Sequence, residues 1–123
     1  MSLKEWMNYH HSDIVMEKCF YMGVRTLKNP LDMWIYQEII CDIKPDFIIE
    51  IGSMHGGSTL YFANLLDSIG NGKVISVDIQ RDYYEVEHDR IFTITGDSSS
   101  AEVVNRVYDI CADKKVLIIH DGG

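Results

Sequence analysis

Four short apolar runs, each with an acidic residue at or near its end, constrain the fold of this chain more than any other feature. The runs are FIIEIG at 47–52, KVISVDI at 73–79, RIFTIT at 90–95 and KKVLIIH at 114–120. The acids are Glu50, Asp78, Asp97 and Asp121. Continuous apolar runs of this length are typical of strands buried on both faces of a parallel sheet. Because ligands bind outside the carboxyl ends of such strands, the acids are expected at a ligand-binding edge.

Helix signals separate the runs. Asn29 is predicted as an N-cap, with Pro30 in the first helical position and Asp32 in the first turn, and the helix extends to about residue 43. The apolar residues that mark one face of this helix are Leu31, Trp34, Ile35, Ile39 and Ile43. This spacing predicts an amphipathic helix directly before the first run.

The other connections differ in how strongly they predict helix. A helix is predicted from residue 57 or 58 to about Leu66, and a capping box at Ser99–Glu102 predicts another to about Ala112. Residues 4–20 have roughly helical spacing, which predicts a helix or two. The segment QRDYYEVEHD at 80–89 has no strong helical pattern, so this crossover is expected to be short or irregular.

This order of elements predicts an α/β fold, a Rossmann-like, mainly parallel sheet with flanking helices. We expect residues 1–28 to form an N-terminal helical segment and linker, and residues 29–123 the ligand-binding half of the domain. The sequence stops directly after a buried-type strand, so we expect that half to be incomplete at its C-terminus, as a fragment of a longer protein. The sheet edge left uncovered predicts self-association as a homo-oligomer.

Charge and composition argue against several function classes. The formal net charge is −8, which disfavours non-specific nucleic-acid binding and anionic membranes because both depend on cationic surface. Cys19, Cys41 and Cys111 form no CxxC pair, which favours free thiols in a reducing compartment over a disulfide frame or zinc site. No run approaches the roughly 18 apolar residues of a membrane span, and no signal-peptide pattern opens the chain, so the expected location is cytoplasmic.

A glycine-rich bend follows the first run, in IEIGSMHGGSTLYF at 49–62. Gly52 and Gly57 have the spacing of a phosphate-binding P-loop, but a serine stands where the phosphate-binding lysine belongs. A dinucleotide fingerprint would put Met54 at the middle glycine position, where its side chain fills the space that a pyrophosphate needs. S-adenosylmethionine has no phosphate, and its positive groups favour a nearby carboxylate such as Glu50. It fits the bend best.

Three blocks of the sequence carry a family resemblance. They are KNPLDMWIYQEIICDIKPDFIIEIGSMHGGSTLYFANLLDSIGNGKVISVDI, HDRIFTITGDSSSAEVV and KKVLIIHD. Together they resemble the cephalosporin hydroxylase-like, or rhamnosyl O-methyltransferase-like, class I S-adenosylmethionine-dependent methyltransferases, over about residues 21–121. The resemblance implies transfer of a methyl group to a hydroxyl of a sugar or other natural-product small molecule, with S-adenosylmethionine and Mg²⁺ as cofactors.

The resemblance also implies a set of site residues. The implied cofactor-binding residues are Glu50, Gly52, Ser53, Gly56, Gly57, Ser58, Asp78, Asp97 and Ser98. The first loop would hold the methionine end, Asp78 the ribose hydroxyls, and Asp97 with Ser98 the adenine. Asp121 is implied as the first carboxylate of a magnesium site, whose other acids the family places after the next strand.

Each of these residues also has a purely structural interpretation. Gly52 and Gly57 could form a simple strand-to-helix turn, Asp78 could be a solvated strand end, and Asp97 could belong to a turn and helix cap. His55 is a candidate general base or substrate contact, because histidine titrates near neutral pH, but it could equally face solvent. His88 and His120 are expected to pack or to be solvated, and the adjacent His10 and His11 lack the i, i+4 spacing of a metal pair.

Two other function classes stay open. A non-catalytic α/β ligand-binding or assembly module would account for the missing metal carboxylates. A nicotinamide-dependent oxidoreductase stays open only if Met54 turns aside from the loop, so that a pyrophosphate reaches the backbone.

Overall fold

A four-stranded parallel sheet forms the centre of the computed structural model, which describes residues 1–15 and 18–120. The helices are α1 (Leu3–Tyr9), followed by a π-helical segment (His10–Val15), α2 (Pro30–Ile43), α3 (Gly57–Ile69) and α4 (Ala101–Cys111). The strands are β1 (Phe20–Tyr21), β2 (Val24–Arg25), β3 (Phe47–Ile51), β4 (Lys73–Asp78), β5 (Ile91–Thr95) and β6 (Val116–His120). The sheet order is β5-β4-β3-β6. The predicted α/β class and all four predicted strands are confirmed.

Alternate side chains of the central strands enter two separate cores. Ile48 and Val74 pack with Phe62 of α3 and Ile40 of α2 on one face of the sheet. On the other face, Val103 and Cys111 of α4 pack with the strand residues Ile49, Ile75, Val77 and Ile94. The two cores explain why the strands are almost continuously apolar, since both of their faces are covered.

Helix α2 begins and ends as predicted, but its apolar stripe does not face the core. The Asn29 side chain accepts a hydrogen bond from the Leu31 N–H at 2.9 Å, and the helix ends at Ile43. Leu31 and Trp34 are each 66% exposed, and the buried apolar residues are Met33 and Ile40. The predicted apolar stripe is therefore mostly exposed, because helix α3 packs against a different side of α2.

The other helices depart slightly from their predicted bounds. Helix α3 runs three residues further than expected and closes at Gly70, which has a positive φ of 88°. The N-cap of α4 is Ser100, whose hydroxyl accepts from the Val103 N–H at 3.3 Å. The capping box predicted from Ser99 is therefore wrong by one residue, because the preceding turn uses Ser99 to hold Asp97. Both differences lie within the usual uncertainty of helix ends.

The segment before α2 forms a short hairpin that the sequence did not predict. Strands β1 and β2 pair antiparallel, and Tyr21 contacts Tyr61 of α3 edge-on at a ring-centroid distance of 5.2 Å. Asn64 of α3 donates to the Tyr21 hydroxyl at 3.0 Å. The hairpin thereby places the following residues, including buried Thr26, over the start of α3.

The crossover between β4 and β5 contains no helix, as expected from its sequence. It lies against the glycine loop, because the backbone N–H of Glu85 donates to the carbonyl of His55 at 3.2 Å. The thiols of Cys19, Cys41 and Cys111 are free, as predicted. None of the helices formed by the described residues is both long and apolar enough to cross a bilayer.

Replacement of Gly57 by alanine tests the close packing at the start of α3. A Cβ built on Gly57 would lie 1.8 Å from the Thr26 Oγ1 and 2.7 Å from the Arg25 carbonyl oxygen. We expect Gly57→Ala to lower the free energy of unfolding by about 1–3 kcal/mol, because a backbone atom must move to admit the methyl group. Thermal and urea unfolding followed by circular dichroism measure the change.

The control for this substitution is Ser68→Ala in the same helix. Ser68 is exposed, so its replacement should change the free energy of unfolding by no more than about 0.5 kcal/mol. A Gly57→Ala protein as stable as the unmodified chain would contradict the close packing.

Candidate functional site

A cavity of about 200 Å³ lies at the carboxyl ends of the parallel strands. Its lining includes Gly52 after β3, Asp78 at the end of β4, Asp97 and Ser98 after β5, and His120 at the end of β6. Four predicted cofactor-binding residues therefore share one cavity. His120, which was expected only to pack or be solvated, also lines it.

A second cavity of about 420 Å³ adjoins the first at Gly52, which lines both. The glycine loop and the start of α3 contribute Gly52, Ser53, Met54 and Ser58. The segment entering α2 and the helix itself contribute Lys28, Asn29, Asp32 and Tyr36. Polar side chains line both cavities, and Gly52 borders each of them.

Asp78 fixes the glycine loop to the end of β4. Its Oδ2 accepts from the Met54 N–H at 2.9 Å, and its Oδ1 accepts from the Ile79 N–H at 2.7 Å. Met54 has a left-handed φ of 49°. Each carboxylate oxygen has a second lone pair, so Asp78 can still accept hydrogen bonds from a ligand.

Glu50 is fully buried and is bound by other residues of the protein. Its two oxygens accept hydrogen bonds from the hydroxyls of Ser58 and Thr59, and the Lys28 Nζ lies 3.6 Å from its Oε2. Glu50 lines neither of the two cavities, whereas Ser58 and Lys28 line the larger one. Direct contact of Glu50 with a ligand stays a prediction. In the structure Glu50 is linked to the cavity only indirectly, because its partners Ser58 and Lys28 line the cavity wall.

Gly56 and Gly57, the later glycines of the loop, are packed closely against other segments of the protein. A Cβ on Gly56, which has a φ of +96°, would lie 2.8 Å from Val86 and 2.9 Å from Tyr84 of the crossover. Gly57 is covered by the hairpin segment, and the hydroxyl of buried Ser53 hydrogen-bonds that of Ser76. Gly56 and Gly57 line neither of the two cavities, so their contact with a cofactor stays a prediction.

Asp97 lies in the turn that leads into α4. Its Oδ1 accepts from the Ser99 hydroxyl at 2.7 Å and from the Ser99 N–H at 2.8 Å. The Ser99 hydroxyl and then its backbone N–H hold the pKa of Asp97 below its ordinary value. Asp97 therefore forms the predicted turn and also lines the smaller cavity, so both interpretations of this segment describe the same carboxylate.

One further candidate, His55, is not brought to either cavity. His55 packs against Tyr83 with ring centroids 5.6 Å apart, lines neither of the two cavities, and has no partner for Nδ1 among residues 1–15 and 18–120. Its catalytic role stays a prediction. Asp121 lies outside the described residues. Within the described part of the chain, no three His, Cys, Asp or Glu side chains are grouped as a metal site.

Arg81 of the crossover is a half-buried cation that the sequence did not single out. Its guanidinium donates to the carbonyl oxygens of Ser76 at 2.5 Å and Ile94 at 2.9 Å and lies 4.8 Å from the centre of the Tyr84 ring. Burial lowers the pKa of Arg81 and raises the pKa of Tyr84 to about 12. These contacts hold the helix-free crossover on the sheet, and no local sequence pattern distinguishes this arginine.

Lys28 is the other residue that sequence reasoning missed. It is 6% exposed and lines the larger cavity. The only local signal for Lys28 was the predicted N-cap at Asn29, which puts Lys28 directly before a helix start. The ion pair with Glu50 joins residues that are 22 positions apart in the sequence, and no local pattern reports such a pair.

Comparisons with known proteins give a family match and two kinds of methyltransferase relative. A family model described as rhamnosyl O-methyltransferase/CmcI matches residues 13–123. A rhamnosyl O-methyltransferase of Mycobacterium tuberculosis (strain ATCC 25618 / H37Rv) is 41% identical over 76 residues, which cover 61% of this chain and 31% of that protein. A ribosomal RNA large subunit methyltransferase E of Dichelobacter nodosus (strain VCS1703A) is 31% identical over 120 residues, covering 94% of this chain and 54% of that protein.

A solved structure has the same fold. CmcI with Mg-SAM superposes with a TM-score of 0.76 at 22% identity, covering 99% of this chain and 54% of that chain. The chain therefore spans about a third of the rhamnosyl relative and about half of the solved relative.

Replacement of Ser99 by alanine tests the geometry around Asp97. We expect Ser99→Ala to raise the pKa of the Asp97 carboxyl toward its ordinary value, because the largest cause of the lowering is removed. Carbon-detected NMR titration of the carboxyl groups measures the pKa. In the matched control, Ser98→Ala, the Ser99 hydroxyl that holds the Asp97 carboxylate is kept, so the pKa should stay low. An unchanged pKa in Ser99→Ala would contradict the described turn.

Proposed function

Because the chain belongs to the rhamnosyl O-methyltransferase/CmcI family, we propose that it forms the cofactor-binding part of an S-adenosylmethionine-dependent O-methyltransferase. The acceptor that we propose is a hydroxyl group of a sugar or another small natural product. The observation that carries the proposal is the pair of cavities that adjoin at Gly52, with Asp78 and Asp97 in the smaller one.

The shape of the site supports a ligand made of a nucleoside and an amino-acid tail. We propose that the smaller cavity takes the adenosine part, with Asp78 accepting from the ribose hydroxyls and Asp97 with Ser98 beside the adenine. The larger cavity, lined by the loop backbone and by Lys28, takes the tail. Both cavities share Gly52, so the sulfur that joins the two parts of the ligand would lie near this residue.

The start of α3 supports S-adenosylmethionine over a phosphate-containing cofactor. In dinucleotide and P-loop sites, a helix N-terminus faces the phosphates. Here the first turn of α3 binds the Glu50 carboxylate through Ser58 and Thr59, and Gly57 is covered by Thr26. The positive end of the α3 helix dipole is thus already matched by a carboxylate of the protein, which disfavours a diphosphate at this place.

The residues of this chain would act by binding and orientation. S-adenosylmethionine supplies an activated methyl group on a positively charged sulfur. The bonds from Asp78 to Met54 and Ile79 hold the loop in one conformation, which fixes the direction in which a bound ligand faces its acceptor. We also propose that Asp121 provides one carboxylate ligand for a magnesium ion.

The proposed acceptor class is supported by the family and by charge. The curated relative named above acts, by its name, on a rhamnosyl group, whereas the other relative is named for ribosomal RNA. A net charge of −8 disfavours an RNA acceptor, since RNA binding depends on cationic surface. We therefore propose a small-molecule acceptor rather than a nucleic acid.

The proposal is tested by calorimetric titration with S-adenosylmethionine and with NAD. We expect S-adenosylmethionine to bind and NAD to bind at least about tenfold more weakly. Asp78→Asn should weaken S-adenosylmethionine binding by about tenfold to a hundredfold, because hydrogen bonds to a charged group contribute about 1.5–3 kcal/mol. Asp109→Asn, which changes an exposed acid of α4, is the control and should leave the affinity unchanged. Preferential binding of NAD would overturn the proposal.

A further inference from the structure

Lys28 is a buried cation in the wall of the larger cavity. The residue is 6% exposed, and burying an ammonium group is costly unless it is paired. Its position is set by the hairpin before it and by the cap of α2 directly after it, where the Asn29 side chain accepts from the Leu31 N–H. A buried charge held this firmly at a cavity marks a place where a charged ligand group can bind.

The pairing of Lys28 with Glu50 holds the ammonium group close to the glycine loop. The distance of 3.6 Å from Nζ to Oε2 is that of an ion pair but is longer than a hydrogen bond. Glu50 also accepts hydrogen bonds from the hydroxyls of Ser58 and Thr59. Lys28 is therefore the cation that offsets the charge of Glu50, and it lines the cavity while Glu50 does not.

The charges around the larger cavity match those of an amino acid. Lys28 supplies a positive group, and Asp32, in the first turn of α2, supplies a negative one. Both residues line the cavity together with Gly52, Ser53 and Met54, the loop proposed to hold the methionine end. A zwitterion with one carboxylate and one ammonium group meets a complementary charge for each.

We propose that Lys28 binds the α-carboxylate of the methionine part of S-adenosylmethionine and thereby selects for an amino-acid tail. This inference rests on the proposed function, because it assigns one end of the same ligand. Ammonium–carboxylate hydrogen bonds are among the stronger polar contacts in proteins. Ligands without the carboxylate should therefore bind more weakly, even when their nucleoside part is identical.

The test compares three ligands by calorimetry on the unmodified chain. They are S-adenosylmethionine, decarboxylated S-adenosylmethionine, and methylthioadenosine, which lacks the whole tail. We expect the first to bind about tenfold to a hundredfold more tightly than the second. Equal affinities for these two ligands would overturn the inference, and this comparison needs no substitution.

The same titrations on Lys28→Gln assign the preference to this residue. The advantage of S-adenosylmethionine over its decarboxylated form should fall to within about twofold, while methylthioadenosine binds as before. Lys28→Arg should keep the advantage, because the charge is kept. Lys114→Gln, which removes an exposed lysine beyond α4, is the matched control and should change none of the three affinities.

Lys28→Gln leaves Glu50 buried without its cation, which can destabilise the fold. The double variant Lys28→Gln/Glu50→Gln removes both charges and keeps hydrogen-bonding groups, and it should show the same loss of preference. Methylthioadenosine binding reports that the nucleoside part of the site is intact in each variant. A preference that persists in both variants would overturn the inference alone. Failure of the unmodified chain to bind S-adenosylmethionine and methylthioadenosine would overturn the proposed function with it.

Discussion

The buried carboxylate of Glu50 is the interaction on which the rest of the structure depends. Glu50 lies in β3, one of the two inner strands of the sheet, and is in register with Ser76 of β4 and Ile119 of β6. Ser58 and Thr59 bring the start of α3 to it, and Lys28 brings the segment before α2. A buried charge is tolerated only when it is paired and hydrogen-bonded. One acid therefore joins a strand, a helix and a linker that are distant in sequence, and it does so beside the candidate site.

The glycine-rich loop is shaped as much by the protein as by any ligand. Gly52 borders both cavities, whereas Gly56 makes room for the crossover and Gly57 for the hairpin segment. The space that a nucleotide-binding loop leaves for phosphate is thus taken by Tyr84 and Thr26. This division explains why the glycine spacing alone resembles several nucleotide motifs but satisfies none of them fully.

The elements of the fold followed from the sequence because their signals are local. The strand of residues 47–51 is apolar on both faces, and the cap at Asn29 is formed by neighbouring residues, so each could be predicted without knowledge of the rest of the chain. The apolar stripe of α2 could be predicted as a face, but its exposure could not, because periodicity shows that a face is apolar and not what covers it. Lys28 and Arg81 were missed for a related reason: their partners are set by tertiary contacts. The division of the chain at residue 28 stays a proposal, and the contact of Thr26 with Gly57 shows how closely the two parts meet.

The hairpin has a consequence for the energetics of ligand capture. Its backbone is closed by the bond from the Thr26 N–H to the Cys19 carbonyl at 2.8 Å, and two residues later the same segment supplies a wall of the larger cavity. Ordering of this segment and occupancy of the cavity are therefore linked equilibria, since a ligand that binds only the ordered state also stabilises it. Loosening the hairpin far from any bound atom would weaken affinity, and a saturating ligand would in turn protect the hairpin from local opening.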